Sequence, residues 1–254
     1  MLLEDTISMA FSIMSARQKQ KFKDHFELDM AYSVPGLGRF RCNAFQQRGT
    51  VGMVVRVIPV RIAAVSELNL PPILERIQPL LRDREQVLEI GSGTGQHAVY
   101  FAPEFPQLQW QTSDRDENHP GIRAWLEEYD PPNVSPPLSL DVAGGWPERR
   151  FDAVFSANTA HIMNWSQVEC FIRGAGRVLQ TGGVLCLYGP FNYNGRYTSE
   201  SNARFDSWLK SRDPLSGVRD FAALDELART AGLVFKRDYA MPANNRTLVW
   251  SKPS

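Results

Sequence analysis

Cysteine is scarce in this chain, and what there is does not cluster: Cys42, Cys170 and Cys186 stand far apart among 254 residues. No Cys/His group has metal-ligand spacing, so no metal site is expected, and scattered thiols suit a reducing compartment. Excess charge is missing too, because 28 Lys and Arg balance 28 Asp and Glu. A neutral balance gives no electrostatic reason to expect a nucleic-acid partner. No apolar run reaches the length of a membrane span, and no basic stretch precedes an apolar core. The expectation is a cytoplasmic protein without a membrane partner. The pattern G-x-x-x-x-G-K-[ST] occurs nowhere, which leaves ATP hydrolysis by a P-loop unsupported.

What is present is the run Val87-Leu88-Glu89-Ile90-Gly91-Ser92-Gly93-Thr94-Gly95-Gln96-His97-Ala98. A short apolar strand ends in Glu89, and three glycines at alternate positions then open a helix. Glycine tolerates the left-handed conformations of a tight strand-to-helix turn and lets a ligand approach the backbone. A dinucleotide site wants G-x-G-x-x-G, but Gln96 stands where that spacing requires the last glycine. An NAD-dependent oxidoreductase is therefore disfavoured.

An alternating series follows the loop. Residues 108–112 read as a strand followed by Asp114, about 20 residues past the glycines, where an acidic group meets ribose hydroxyls in this topology. Residues 138–140 run into Asp141, and 151–155 into Ser156-Ala157-Asn158. Ligands of open α/β sheets sit beyond the carboxyl ends of the strands, so Glu89, Asp114, Asp141 and Asn158 are expected to share one crevice. A helix over 167–179 and a strand over 184–188 come next. A helix over 224–231, closed by Gly232, precedes a terminal antiparallel hairpin of 233–239 and 247–250. The predicted fold is α/β, a Rossmann-like seven-stranded sheet with helices on both faces and an antiparallel last strand.

The E-x-G-x-G-x-G form resembles motif I of the class I S-adenosylmethionine-dependent methyltransferases. That resemblance implies S-adenosyl-L-methionine as cofactor, packed against Glu89, Gly91, Ser92, Gly93 and Gly95. It implies ribose contact through Asp114, adenine contact through Asp141, and the methionyl end near Asn158. From residue 73 onward the chain resembles one branch, the DUF938 or methyltransferase-like 26 family. The motifs include Asn158-Thr159-Ala160-His161, Tyr188-Gly189-Pro190-Phe191-Asn192, Gly217-Val218-Arg219-Asp220 and Met241-Pro242-Ala243-Asn244-Asn245.

Methyl transfer mainly requires holding donor and acceptor in line, with proton removal where needed. His161, just past the fourth strand, is the candidate general base; the alternative is that it caps or packs the next helix. Tyr188 and Asn192 are candidates for positioning a polar acceptor. Asn202, Arg204, Asn244, Asn245 and Arg246 are placed to line the same mouth. Arg219 beside Asp220 reads as a loop-locking ion pair, His97 as a cap, a packing residue or a cofactor contact, and His119 as a surface loop residue. No Asn-Pro-Pro-aromatic segment follows the fourth strand, which disfavours amino-group methylation of adenine or glutamine.

The first part of the chain departs from this pattern. Residues 6–26 read as a helix, and 27–34, 38–46 and 50–59 as strands joined by turns at Pro35-Gly36 and Arg48-Gly49. Ser15-Ala16-Arg17-Gln18-Lys19-Gln20-Lys21-Phe22, Glu27-Leu28-Asp29-Met30-Ala31-Tyr32 and Gly38-Arg39-Phe40-Arg41-Cys42-Asn43-Ala44-Phe45 resemble the N-terminal PAS-like domain of type IV pilus retraction ATPases, truncated in front. A small α+β segment over 1–77 is therefore expected to precede a methyltransferase domain over 78–254, as in a fusion protein. Its open sheet edges imply possible self-association. The functional expectation is methyl transfer to a small or peptide-like acceptor. The alternative is a catalytically inactive cofactor-binding module whose N-terminal segment contacts other proteins.

Overall fold

The structure is a computed structural model that describes residues 3–34, 38–47, 50–58 and 71–253. It divides into two compact units, Met1–Leu68 and Asn69–Ser254. The seam expected at residue 77 falls inside a helix of the second unit.

The smaller unit contains helices α1 (Leu3–Ser12) and α2 (Ala16–His25) and an antiparallel sheet ordered β1-β2-β3, from Glu27–Val34, Gly38–Gln47 and Thr50–Ile58. The single helix expected over 6–26 is broken because Ser15 starts a new one. Its side chain accepts from Gln18 N while Gln18 Oε1 accepts from Ser15 N, a reciprocal cap that stops α1 from running through. Ala10, Met14, Phe22, Leu28, Met30, Cys42, Ala44 and Val51 form its core. The Pro35-Gly36 and Arg48-Gly49 turns lie outside the described residues.

The larger unit runs α3 (Pro71–Leu81), β4 (Gln86–Glu89), α4 (Gln96–Phe101), β5 (Gln109–Asp114), α5 (His119–Tyr129), β6 (Val134–Ser139) and β7 (Phe151–Ala157). There follow α6 (Trp165–Val178), β8 (Leu179–Gly189), β9 (Phe191–Asn192), α7 (Glu200–Arg212), β10 (Arg219–Asp220), α8 (Phe221–Thr230), β11 (Val234–Ala240) and β12 (Arg246–Ser251). The sheet order is β11-β12-β8-β7-β4-β5-β6, with β12 antiparallel to both neighbours and β4 through β8 mutually parallel. All seven residues of β7 are buried, as a central parallel strand covered on both faces requires.

On one face Val154, Leu185, Leu187, Leu248 and Trp250 pack with Phe171, Ile172 and Ala175 of α6 and Leu224 and Ala228 of α8. Burying each large apolar side chain contributes about 1.5–3 kcal/mol. Helix α6 is seated closely because Gly174 has no Cβ; one there would lie 2.0 Å from the Trp146 ring. Helix α8 ends in a left-handed Gly232, with Gly232 N bonded to Arg229 O and Leu233 N to Ala228 O. Strand β6 starts earlier than its sequence suggests, since Pro136 and Pro137 interrupt a strand pattern. At the sheet edge their missing N–H groups are tolerated.

Candidate functional site

The parallel strands β4, β5, β6 and β7 end on one side of the sheet, and a cleft of about 500 Å³ opens there. Gly91, Ser92, Gly93, Asp114, Asp141 and Asn158 line it together. The crevice expected from the strand ends is thus assembled, with one exception in Glu89.

The loop after β4 is stapled from both sides. Ser92 N donates to Ser113 O at 3.0 Å, Ser113 Oγ to Glu89 O at 2.6 Å, and Ser156 Oγ to Ile90 O at 2.8 Å. Gly91 has φ +71°, and a Cβ there would stand 2.4 Å from Thr159 Cγ2. Gly93 has φ +60° but faces no atom within 4 Å of a Cβ position. Only the absence of a side chain keeps that part of the cleft open. Gly95, the left-handed N-cap of α4, packs against Ile122 and lies off the lining.

Asp114 is only 9% exposed, and both its oxygens are directed. Oδ2 accepts from Gly93 N at 2.8 Å, while Oδ1 accepts from Arg115 N and Asn118 Nδ2, each at 2.8 Å. His119 is buried beneath it, contrary to the surface placement expected. Its Nε2 lies 3.0 Å from Asp114 O and 3.1 Å from Leu138 O, so an Nε2–H ties the ends of β5 and β6 together. Asp141 stays exposed, with Oδ1 accepting from Ala143 N at 2.9 Å. Asn158 has φ +59°, a conformation uncommon outside glycine, and its N–H donates to Tyr188 O at 2.9 Å.

Glu89 does not face the cleft. It is 1% exposed, and Oε2 accepts from Ser92 Oγ at 2.9 Å and Trp110 Nε1 at 3.0 Å. Its side chain points under the loop because the strand alternates faces.

The three catalytic candidates also lie off the lining. His161 is buried edge-on against Phe205, with ring centroids 5.2 Å apart. Burial, assisted by the Arg219 charge, lowers its pKa to about 4. The imidazole is neutral near pH 7 but weakly basic, which removes the reason for reading it as a general base. Tyr188 Oη accepts from Asn245 Nδ2 at 2.9 Å, and burial raises the phenol's pKa despite that bond. Asn192 Oδ1 is buried without a hydrogen-bond partner among the described residues.

The other residues expected at the mouth are engaged elsewhere. Asn202 Nδ2 donates to Thr198 Oγ1 and Asn244 O, Arg204 is exposed beside Glu200, and Arg246 pairs with Asp238 at 2.7 Å. Arg219 does lock a loop, but through carbonyls rather than Asp220. It donates to Ala160 O, Met163 O and Leu215 O. Asp220 instead caps α8 and accepts from Gly195 N.

Gln96, His97, Arg115, Asn118, Ile162, Met163 and Gln167 also line it. Of these, Gln96 and His97 lie within the glycine-loop motif, with His97 among the candidate cofactor contacts, whereas Arg115, Asn118, Ile162, Met163 and Gln167 carried no motif and reach the cleft only because the chain turns back after β5 and β7.

Strand order, the antiparallel β12 and the position of the cleft define a class I methyltransferase fold. An O-methyltransferase family protein from Burkholderia thailandensis matches with a TM-score of 0.66 at 17% identity, over 75% of this chain and 58% of that one. The S-adenosylmethionine-dependent methyltransferase SibL in its apo form matches at 0.63 and 22% identity, over 75% and 56%. At these identities the likeness concerns the fold.

The chain belongs to the DUF938 family, described as a protein of unknown function, whose model matches residues 60–252. A minor part of the chain is also similar to the type IV pilus ATPase PilU of Pseudomonas aeruginosa, 40% identical over 93 residues, or 36% of this chain. The pilus retraction ATPase PilT of the same organism is 33% identical over 75 residues, or 30% of the chain. The chain spans only 24% and 22% of the lengths of those proteins. No helix among the described residues is long and apolar enough to cross a membrane.

Proposed function

We propose that the cleft binds S-adenosyl-L-methionine and that the protein transfers its methyl group to a small or peptide-like acceptor. The observation that carries this reading is the open space over Gly93, beside Asp114 and Asp141 in one cleft. Gly93 offers bare backbone to a ligand, and Asp114 Oδ2, which accepts a single protein bond, retains acceptor capacity for a hydroxyl donor. The residues present fit the cofactor. When bound, it supplies an electrophilic methyl group on a sulfonium centre.

The far side of the cleft is uncharged, formed by Ala157, Asn158, Thr159, Ile162, Met163 and Gln167. Ile162 is 58% exposed, yet Arg219 holds the backbone on either side of it through Ala160 O and Met163 O. A fixed apolar lip suits an acceptor with an uncharged, apolar surface. With His161 buried and weakly basic, these residues supply position rather than proton abstraction.

Calorimetric titration of the full chain with S-adenosylmethionine tests the donor reading. Heat of binding is expected; none, from folded protein, overturns it. Incubation with methyl-labelled donor and metabolite extract then tests turnover. A labelled small molecule or peptide is expected, and an unlabelled extract despite donor binding leaves the inactive module.

A further inference from the structure

We propose that an exposed apolar stripe beside the cleft docks the methyl acceptor, and that this acceptor is a polypeptide segment pairing an apolar side chain with a carboxylate. This rests on the methyl-transfer reading of the same cleft. In α7, Phe205, Trp208 and Arg212 are spaced three and four residues apart and so share one face of the helix. The Phe205 and Trp208 rings are stacked, with centroids 5.8 Å apart and planes 17° from parallel. The Arg212 guanidinium lies over the indole, 4.8 Å from its centre. Trp208 nevertheless remains 50% exposed.

The stripe runs on to the cleft. Phe205 meets the buried His161 ring edge-on, and the next residue, Ile162, is exposed and lines the cleft. Leu215, also exposed, joins from the loop after α7. Arg219 donates to both Leu215 O and Met163 O, and Ser216 Oγ donates to Ile162 O at 3.2 Å. Buried Asp206 ties that loop to α7 by accepting from Val218 N at 2.7 Å. Large apolar groups are thus held in water on a fixed backbone. Order that exists before a partner arrives lowers the cost of binding it.

Shape and charge select the occupant. Small molecules bind in concavities that enclose most of their surface, whereas Phe205, Trp208 and Leu215 lie off the cleft lining. A contiguous exposed apolar patch containing tryptophan and arginine has the composition of a protein-contact hot spot. Arg212 makes no ion pair among the described residues, while its neighbours Arg204 and Lys210 face Glu200 and Asp206. Asp213 is turned to its own loop, where it accepts from Leu215 N and Ser216 Oγ. A carboxylate on the docked segment therefore meets an uncommitted guanidinium, and the row from Trp208 through Phe205 to Ile162 leads that segment to the cleft.

The test incubates the full chain with methyl-labelled S-adenosylmethionine and a cell extract divided by filtration into polypeptide and small-molecule fractions. Label is expected in the polypeptide fraction, in a form that protease releases. Trp208→Ala is expected to cut that labelling about tenfold, while S-adenosylhomocysteine binding by calorimetry stays within about twofold. Arg212→Glu alters an exposed side chain and covers the case in which Trp208→Ala fails to fold. It is expected to cut labelling by a similar factor, and Arg212→Lys to restore part of it. Label confined to the small-molecule fraction, protease-resistant label, or labelling that neither variant changes overturns the proposal. So does a dimer in light scattering that Trp208→Ala dissolves, which assigns the stripe to a second copy of the chain. No label in either fraction despite donor binding overturns the methyl-transfer reading and the dock with it, and no donor binding overturns the donor reading first.

Discussion

Gly93 donates its backbone N–H to Asp114 Oδ2 at 2.8 Å, joining the glycine loop to the end of the neighbouring strand. One carboxylate therefore shapes the loop and faces the cleft. Asp114→Ala removes three hydrogen bonds and is expected to weaken S-adenosylmethionine binding about 10- to 100-fold, or roughly 1.5–3 kcal/mol. Titration calorimetry checks this, and unchanged affinity would place the ribose elsewhere.

Two neighbouring glycines are expected to fail in different ways. Gly91→Ala sets a methyl against Thr159 Cγ2 at 2.4 Å in a left-handed backbone, and a stability loss of about 2–4 kcal/mol is expected. Gly93→Ala meets no atom and carries only the backbone penalty of about 1–2 kcal/mol, but its methyl enters the cleft. The protein should fold and bind donor poorly. Denaturant melts set beside calorimetry separate the two, and equal stability losses would contradict the geometry.

The lowered pKa of His161 ties stability to pH. Its value falls from 6.5 to about 4 on folding, so the unfolded chain takes up the proton first. The contribution is fully present above pH 6.5 and is lost as pH falls through about 4. The full swing is about 3 kcal/mol. Urea titrations across this range should show a steeper acid loss in the wild type than in His161→Gln. Parallel curves would mean that the imidazole is not held neutral.

The fit of α6 against Trp146 gives a test away from the cleft. Gly174→Ala places a Cβ 2.0 Å from the indole, and a loss of about 1–3 kcal/mol is expected as the ring or the helix shifts. Thermal unfolding measures it. A neutral result would show that Trp146 has room to move.

Local signals made much of the larger unit legible. The glycine spacing marked a strand-to-helix turn, and Asp114, Asp141 and Asn158 followed successive strands, so a parallel sheet necessarily brought them to one side. The start of β6 was obscured by Pro136 and Pro137, because their acceptability depends on an edge position that no local pattern encodes. The helix break before Ser15 was legible in principle as a capping box, but it was masked by the uninterrupted polar run that follows.

The amino-acid sequence by itself determined the main strand-helix alternation of the larger unit, the glycine turn after β4 and the strand ends that carry polar groups, since these follow from spacing and backbone preference. The direction of each side chain was decided only by tertiary packing. Glu89 turned under its loop, His119 went beneath Asp114, and His161 lost its basicity against Phe205 and Arg219. Burial and neighbouring charge set a titratable group's chemistry, and both come from residues distant in the chain.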